Sequence, residues 1–345
     1  MSRKFIFIGT PFLLALLALG YYQLFYCSPQ VNGGIFKLKT SLAAHNSDIW
    51  AAKYSPDGKL LASGSVDSTV ILWRTGDMRI ARKIKQPAGI TNLAFSPDGN
   101  TVATTSYDGI ARLWRTDNGQ LVKQFPANGQ TLWAIDISPD GKTMACAGED
   151  KTVRLWDLAS GKLIKEMSGH NRNIWSVKFS PDGALLASGS FDSSVKIWNA
   201  HTGALLNNLT KHTEAIVDLA FSHNGKLLAT TSDDKTIKLW RMPEGGLICS
   251  LAVPEHIQAA AFSPDDSYLL TGGRDKPMIG EFLQNIFGDS NFNKGVSARL
   301  WEVSSGKLLQ TFRHHCNDVN DVSYSPDGLQ VATASSDHTI DIWAR

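Results

Sequence analysis

The chain has 345 residues, with 34 Lys and Arg against 32 Asp and Glu, and a formal net charge of +2. This length is enough for one large domain or two ordinary ones with a well-buried core. The nearly neutral balance argues against binding nucleic acid through a broad basic surface. Four cysteines, far apart in the sequence, are too few for a disulfide scaffold and lack the spacing of a zinc site.

The first 30 residues form a hydrophobic segment that is distinct from the rest. After Arg3 and Lys4 there is no charged residue until Lys37, and residues 5–27 are mostly apolar. A helix of that length would reach about 34 Å, enough to cross a hydrocarbon core of about 30 Å. We predict a transmembrane anchor in residues 1–30, with the remaining chain on the exported side because the two basic residues favour a cytoplasmic N-terminus.

Four alternatives to this anchor stay open. A short basic start and an apolar stretch also fit a secretory signal peptide, with Ala18 and Gly20 as the small residues before a cleavage point. A lipid anchor at Cys27 fits less well because Tyr26 is bulky, and a buried core helix lacks a polar stripe. An anchor of the opposite orientation would leave the rest of the chain facing inward.

Residues 31–345 consist of one motif that is repeated seven times. Each repeat has Ser-Pro-Asp-Gly or a variant of it, an Asp twelve residues after that Ser, and in six repeats a Trp six residues later. In the sixth repeat the segment from Asp275 to Trp301 is 20 residues longer. The serines that begin the seven motifs are Ser55, Ser96, Ser138, Ser180, Ser222, Ser263 and Ser325. The repeats and the insertion account for the whole segment, so no further domain is expected.

Within each repeat apolar residues alternate with small or polar ones, which is the period of a β-strand. In the first repeat Ala52 and Tyr54 precede the Ser-Pro-Asp-Gly turn, in which Pro fixes φ and Gly accepts a positive φ. A second strand, a turn at Asp67, a third strand that ends at Trp73 and a variable fourth strand follow. Four short strands in about 42 residues make one blade of a β-propeller.

These motifs resemble the WD40 family over residues 35–345. The resemblance implies an all-β fold, a closed seven-bladed WD40 β-propeller, preceded here by one N-terminal hydrophobic helix; repeats alone behind such a segment are similar to bacterial members of the family. The seventh repeat stops at Arg345 without a fourth strand, and residues 34–40 read as that strand. We therefore expect the two ends to pair and to leave no open sheet edge.

Four repeats carry a His ten residues before their Ser, which together with Ser or Thr and Asp could be read as a hydrolase triad. The resemblance implies instead a buried hydrogen-bond network that holds the strands of one blade together. The residues of these networks are His45, Asp67 and Trp73, His170, Asp192 and Trp198, His212, Asp234 and Trp240, and His315, Asp337 and Trp343. Repeats with Gln86, Asn128 or Val253 at the His position lack the full network. We predict no catalytic site, no metal and no cofactor.

Some aromatic residues are left over after the repeat is explained. Trp50, Trp133 and Trp175 stand five residues before their Ser, at the start of the innermost strand. In the WD40 family this position and the residue before the turn Asp line the top face, where partners usually dock. The predicted partner-binding residues are Trp50, Tyr107, Trp133, Trp175, Phe191 and Arg274. Aromatic side chains exposed together favour an interface, and the alternative is that the rings fill the upper part of the central channel.

The insertion, residues 276–295, would emerge on the same face between the second and third strands of blade 6. Apolar residues recur in it at helical spacing, so we predict a short helix that lies on the propeller or on a partner. The alternative is a disordered loop.

Taken together, these features predict a non-catalytic scaffold, membrane-tethered or exported, that binds a protein or peptide on its top face and no nucleic acid. The rival hypothesis is a propeller enzyme or small-molecule binder that uses the central channel. Titratable residues that converge at the channel mouth would favour the rival, and an aromatic rim favours the scaffold.

Overall fold

The computed structural model describes residues 34–253, 255–274 and 297–345. These residues form 28 strands in seven antiparallel sheets of four, which confirms the prediction of an all-β seven-bladed propeller. Neither the predicted N-terminal helix nor the predicted helix at 276–295 lies within the described residues. Among the residues that are described, no helix is long and apolar enough to span a bilayer.

The strands follow one another in chain order within six of the seven blades. Blades 1 to 3 contain β2 (Ile49–Tyr54), β3 (Leu60–Ser65), β4 (Thr69–Arg74) and β5 (Ile80–Lys85); β6 (Ile90–Phe95), β7 (Thr101–Ser106), β8 (Ile110–Arg115) and β9 (Leu121–Pro126); and β10 (Leu132–Ile137), β11 (Thr143–Gly148), β12 (Thr152–Asp157) and β13 (Leu163–Ser168). Blades 4 to 6 contain β14 (Ile174–Phe179), β15 (Leu185–Ser190), β16 (Val195–Asn199) and β17 (Leu205–Leu209); β18 (Ile216–Phe221), β19 (Leu227–Ser232), β20 (Thr236–Arg241) and β21 (Gly246–Ala252); and β22 (His256–Phe262), β23 (Tyr268–Arg274), β24 (Ser297–Glu302) and β25 (Leu308–Arg313).

Blade 7 is the one sheet assembled from both ends of the chain. It contains β26 (Val319–Tyr324), β27 (Gln330–Ser335), β28 (Thr339–Ala344) and, from the other end, β1 (Lys37–Ala43). β1 pairs with β28 from Lys37 opposite Ala344 to Ala43 opposite Thr339. The strand therefore begins and ends three residues later than the expected 34–40. The first strands of successive blades, including β26 and β2, contact one another around a central channel.

The hydrophobic core is divided into seven clusters, one between each pair of adjacent blades. The cluster between blades 7 and 1 joins Leu42 and Ile342 to Leu61 and Trp73. Because strand residues alternate between two faces and each blade has a neighbour on both sides, both faces of its inner strands are apolar. The propeller thus has no single core, and each blade needs its two neighbours.

The Ser-Pro-Asp-Gly turns form a second ring of contacts, at the face opposite the predicted docking face. At Gly58, where φ is +69°, a Cβ would meet the ring of Pro326 from the preceding blade. The six contacts of this kind are Pro56 with Gly99, Pro97 with Gly141, Pro139 with Gly183, Pro181 with Gly225, Pro264 with Gly328 and Pro326 with Gly58. Each turn is therefore packed against the next one.

Blades 5 and 6 make the seventh contact of this ring with different chemistry. His223 stands where the other turns have Pro, and Asp266, with φ +60°, stands where they have Gly. The Asp266 carboxylate accepts hydrogen bonds from the backbone N–H groups of His223 (2.7 Å) and Asn224 (3.0 Å). The two departures from the motif face each other, and the hydrogen bonds replace the Pro–Gly contact.

The four predicted His networks are present. In blade 4 the His170 Nδ1 lies 2.9 Å from Asp192, its Nε2 lies 2.8 Å from the Ser188 hydroxyl, and the Trp198 N–H donates to the same hydroxyl at 2.8 Å. Blades 1, 5 and 7 repeat this geometry. Within each of these four networks the His, hydroxyl, Asp and Trp groups are hydrogen-bonded to one another, so their hydrogen bonds offset the cost of burying them.

Two blades without this His hold their turn Asp with an arginine that sequence reasoning missed. The Arg112 guanidinium lies 2.7 Å from the Asp108 carboxylate in blade 2, and Arg154 contacts Asp150 in blade 3. Both arginines are buried and stand two residues before the blade Trp. A signal was available, because Arg occupies this position only in the three repeats that lack the His: Arg112, Arg154 and Arg299.

Blade 7 differs from the other His blades because a second carboxylate is buried beside its network. The Asp341 carboxylate lies 2.7 Å from the His314 Nδ1 and 3.5 Å from the His315 Nε2. Burial opposes the charged form of His315, but Asp341 and Asp337 outweigh this effect and raise its pKa to about 9. In blade 1, by contrast, burial lowers the pKa of His45 although Asp67 faces it.

A pH dependence of stability follows from this difference. The folded-state pKa of His315 lies above its value of 6.5 in the unfolded chain, so its contribution is complete below pH 6.5 and is lost as the pH rises to about 9. The loss is at most about 3 kcal/mol of unfolding free energy. We expect Asp341→Asn to flatten the pH profile over this range, measured by urea unfolding. Asp67→Asn in blade 1 is the matched control, and equal profiles for the two variants would contradict the assignment.

The ring closure can be tested by two truncations. Removing residues 1–43 deletes β1 together with Phe36 and Leu42, which are 1% and 6% exposed. The burial of these two side chains contributes about 3–6 kcal/mol, and the lost ladder hydrogen bonds add to that. Removing residues 1–33 keeps every described strand and should leave the unfolding midpoint unchanged. Coincident denaturation curves for the two truncated chains would show that β1 does not close the ring.

Candidate functional site at the channel mouth

The three leftover tryptophans are placed at the channel mouth by a repeated irregularity of the backbone. Trp50, Trp133 and Trp175 are each the second residue of the first strand of a blade. The pairing register shifts at each of them, as between Ile49 and Ala51, so the Trp has no partner residue across the ladder. A bulge turns a side chain out of the regular alternation, and here it brings the indole rings together across the channel.

Five of the six predicted partner-binding residues form one connected group, which we call the aromatic cluster: Trp50, Tyr107, Trp133, Trp175 and Phe191. Trp133 and Trp175 stack with ring centroids 5.2 Å apart, and Phe191 stacks on Trp175 at 4.6 Å. Trp50 meets the edges of both central indoles at 6.1 and 6.4 Å, and Tyr107 meets Trp133 at 5.4 Å. The rings thus touch one another directly across blades 1 to 4.

The aromatic cluster is partly buried and partly open to solvent. Its three indoles and Phe191 are of intermediate exposure, and Tyr107 is 37% exposed. The indole N–H groups of Trp133 and Trp175 are buried and make no hydrogen bond to any residue that the structure describes. The rings therefore line the mouth of the channel and remain partly accessible to solvent.

The sixth predicted partner-binding residue, Arg274, is not included in the aromatic cluster. Arg274 is the last residue of β23, where its backbone pairs with His256 in blade 6, and its side chain lies outside the described residues. The position that holds Trp in blades 1, 3 and 4 holds Val217, Gln258 and Asn320 in blades 5 to 7. The mouth is therefore aromatic on one side and mostly polar on the other.

A layer of charged residues lies in the channel below the indoles, and sequence reasoning missed it. Lys53 donates to the Asp321 carboxylate at 2.6 Å. Burial opposes the charged form of Lys178, but Asp136, Asp218 and Asp321 outweigh it and raise its pKa above the usual value. The layer could have been found in the sequence, since its residues stand two or four positions before the Ser of their repeats.

The carboxylates of this layer link neighbouring blades. Asp136 of blade 3 accepts a hydrogen bond from the Phe179 N–H of blade 4 at 2.8 Å. Asp218 and Asp321 accept in the same way from backbone N–H groups of the next blade, at 3.0 and 2.8 Å. Burial raises the pKa values of Asp136 and Asp321. Since each carboxylate already has fixed partners, the layer acts first as a joint between blades.

The space enclosed by the indoles and the charged layer has a volume of about 50 Å³. It is lined by Trp50, Trp133 and Trp175 above and by Lys53, Lys178 and Asp321 among others below. Sites for small molecules have volumes of about 300–1,000 Å³, and one water takes up about 30 Å³ in the liquid. This cavity has room for water and not for a metabolite.

The Ser–His–Asp geometry of the blades does not give a hydrolase site. Ser188 has the distances of a triad, but its side chain is 0% exposed and its oxygen already accepts the Trp198 N–H. A nucleophile must reach a carbonyl carbon of the substrate, and no substrate can approach this hydroxyl. Among the described residues, no group of three or more His, Cys, Asp or Glu could hold a metal ion.

Comparison with known proteins agrees with this architecture. The family model described as "WD domain, G-beta repeat" matches residues 36–74, 80–115, 119–157, 161–199, 203–241, 247–276 and 306–344. Protein HIRA of Xenopus laevis is 32% identical over 87 residues, which is 25% of this chain and 8% of that protein. GID complex subunit 7 of Schizosaccharomyces pombe is 33% identical over 81 residues, which is 23% of this chain and 12% of that protein.

The similarity to these relatives therefore covers a small part of each of them, whereas the family model matches in seven segments that together include most of the chain. Each matched segment runs from the outer strand of one blade into the inner strands of the next, beginning with β1 and ending with β28. The chain belongs to the WD40 repeat family.

Proposed function

We propose that this protein is a non-catalytic scaffold that binds a protein or peptide partner through the aromatic cluster. The observation that supports this most is the contact of five aromatic rings from four blades at one end of the channel. Large, partly exposed aromatic side chains are enriched among the residues that contribute most to binding between proteins. The Tyr107 ring, at 37% exposed, is the most accessible of them.

The unsatisfied indole N–H groups support the same proposal. Among the described residues, the N–H groups of Trp133 and Trp175 have no acceptor. A buried donor without an acceptor costs about 1–3 kcal/mol, and a water or a partner's carbonyl oxygen could accept from it. A peptide segment offers both backbone carbonyl oxygens and apolar side chains, so it matches an aromatic surface with donors beneath it.

The charged layer is the observation that favours the rival, a small-molecule site in the channel. Lys53, Lys178 and Asp321 do converge below the mouth, as the rival hypothesis requires. Their carboxylate partners are engaged with backbone N–H groups, however, and the cavity of about 50 Å³ is too small for a metabolite. Size and hydrogen bonding thus favour the scaffold over the channel enzyme.

The relatives support the scaffold only in general terms. GID complex subunit 7 is, by its name, a component of a protein complex. The match with it covers 12% of that protein, so its partners are not transferred to this chain. A repeat propeller that presents an aromatic surface is consistent with the same general role.

We also propose that residues 1–30 tether the propeller to a membrane. Residues 5–27 are mostly apolar and long enough to span a bilayer as a helix. Arg3 and Lys4 favour an orientation with the propeller on the exported side, with secretion after cleavage as the alternative. We further propose that the chain is a bacterial-type member of the family, as its repeats behind a hydrophobic segment suggested.

Truncation of two tryptophans in one blade tests the docking surface. Trp198 is 2% exposed and donates to Ser188, so Trp198→Ala should lower the free energy of unfolding by about 3–5 kcal/mol. Trp175 lies in the aromatic cluster, and Trp175→Ala should cost about 1–2 kcal/mol through its lost ring contacts. Chemical denaturation of both variants measures this difference.

Partner capture by the same variants tests the function. Trp175→Ala and Tyr107→Ala should each weaken recovery of the partner by about 30-fold, or about 2 kcal/mol, in a pull-down from detergent-solubilised membranes read by mass spectrometry. Leu205→Ala, which removes an exposed side chain from the outer strand of blade 4, is the control and should recover the partner normally. Full recovery of every captured protein by Trp175→Ala would refute the docking surface.

A further inference from the structure

The outer edges of two adjacent blades carry an unbalanced positive charge. β1 and β5 are the outermost strands of blades 7 and 1, and neither contains an acidic residue. The exposed cations of these two strands, which we call the basic edge, are Lys37, Lys39, Arg82, Lys83 and Lys85. The chain as a whole has a net charge of only +2, so this concentration is local.

The outer strands of the other five blades differ from the basic edge. β17 and β21 contain no charged residue at all. β9, β13 and β25 contribute Lys123, Lys165 with Glu166, and Arg313. The basic edge is therefore a property of one side of the disc and not of the repeat.

The two strands of the basic edge form one surface. The Lys83 ammonium donates to the carbonyl oxygen of Ala44, which directly follows β1, at 3.3 Å. The Arg82 guanidinium donates to the carbonyl oxygen of Asp117 at 2.8 and 3.1 Å. Both acceptors are neutral, so these contacts position the cations without cancelling their charge. Long basic side chains held beside each other in this way attract an anionic surface.

An exposed apolar residue lies beside the start of β1. Leu329, at 54% exposed, occupies the position after a Ser-Pro-Asp-Gly turn where the other six blades have smaller or polar residues. Its carbonyl oxygen accepts from the Arg345 N–H at 3.0 Å, and the Arg345 guanidinium lies 5.0 Å from the Phe36 ring centroid. Ile35, next to Phe36, is 38% exposed. Exposed apolar residues next to cations are typical of surfaces that contact the membrane interface.

The sequence that precedes β1 determines which anionic surface is close. The apolar stretch ends at Cys27, so nine residues, 28–36, separate it from β1. Nine extended residues span at most about 30 Å. If the apolar stretch lies in a bilayer, the basic edge is held near the lipid headgroups at a high effective concentration. Clusters of Lys and Arg close to a membrane-inserted segment bind anionic headgroups.

We propose that the basic edge docks on the anionic headgroups of the membrane that holds the N-terminal segment. This inference rests on the proposed tether for the identity of its ligand, whereas the basic edge itself consists of described residues. Docking by this edge would leave the channel mouth clear of the membrane surface, because the edge lies on the circumference of the disc. A nucleic acid is a polyanion too, and the test below separates it from lipid.

The experiment uses the full chain reconstituted into vesicles of neutral phosphatidylcholine, or of the same lipid with about 30% phosphatidylglycerol in both leaflets. Backbone hydrogen exchange is measured peptide by peptide. We expect exchange in β1 and β5 to be at least about threefold slower on the anionic vesicles, with no change in β17 and β21. About 0.5 M salt should abolish the difference, because it screens charges beyond a few ångströms.

Charge reversal provides the matched comparison. In Arg82→Glu combined with Lys85→Glu, the slower exchange should disappear. Lys123→Glu combined with Lys165→Glu changes the net charge equally on outer strands of blades 2 and 3 and should leave the slower exchange intact. Equal exchange on the two kinds of vesicle would overturn the inference. So would equal protection of β1 and β5 by a single-stranded oligonucleotide without lipid, which would assign the edge to nucleic acid.

Extraction with alkaline carbonate separates this inference from the tether. A chain that stays in the vesicles and shows no anionic protection retains the tether and overturns the basic edge. A chain that carbonate releases, but that shows protection at β1 and β5 beforehand, supports the basic edge and refutes the tether.

Discussion

Antiparallel pairing of β1 with β28 is the contact on which the rest of the structure depends. Without it blade 7 would expose an unpaired strand edge, and the hydrophobic cluster between blades 7 and 1, which includes Trp73, would lose the side chain of Leu42. A closed ring also sets the distances across the channel, since each first strand is fixed by both of its neighbours. The contact of Trp50 in blade 1 with Trp175 in blade 4, at 6.4 Å between ring centroids, is one such distance across the channel.

A second constraint acts inside the six blades whose turn Asp the structure describes, where this Asp has a buried donor. Three solutions occur in one chain: a His such as His170, an Arg such as Arg112, and in blade 7 a His beside the additional carboxylate Asp341. His170 and Arg112 each face a single carboxylate, that of Asp192 or Asp108. The third buries an extra negative charge and keeps His315 protonated, which makes blade 7 sensitive to a pH range that does not affect blade 1. The blade that closes the ring is therefore also the blade with the most unusual electrostatics.

Much of the fold could be predicted from the sequence because its determinants are local. The period of two, the Ser-Pro-Asp-Gly turns and the fixed spacing to Asp and Trp each act within one repeat, and the 28 strands follow from them. The site was predicted only in part. Spacing along the chain places Trp133 and Trp175 in equivalent positions, but it does not show that they stack at 5.2 Å. The joint formed by Asp136 with the Phe179 N–H was missed for the same reason, since it connects residues of different blades whose distance is set by the closed ring.

The contact of His223 with Asp266 has a consequence for how such a chain can change over time. Pro–Gly contacts are interchangeable, so a repeat that carries both residues can be duplicated or exchanged without disturbing its neighbours. Repeats 5 and 6 are not interchangeable in this way. Moving repeat 5 alone would place His223 against a glycine that offers it no carboxylate, and moving repeat 6 alone would place Asp266, at φ +60°, against a proline that has no N–H to donate. Recombination would therefore have to carry the two repeats as one unit, which gives this ring of similar blades a fixed internal order.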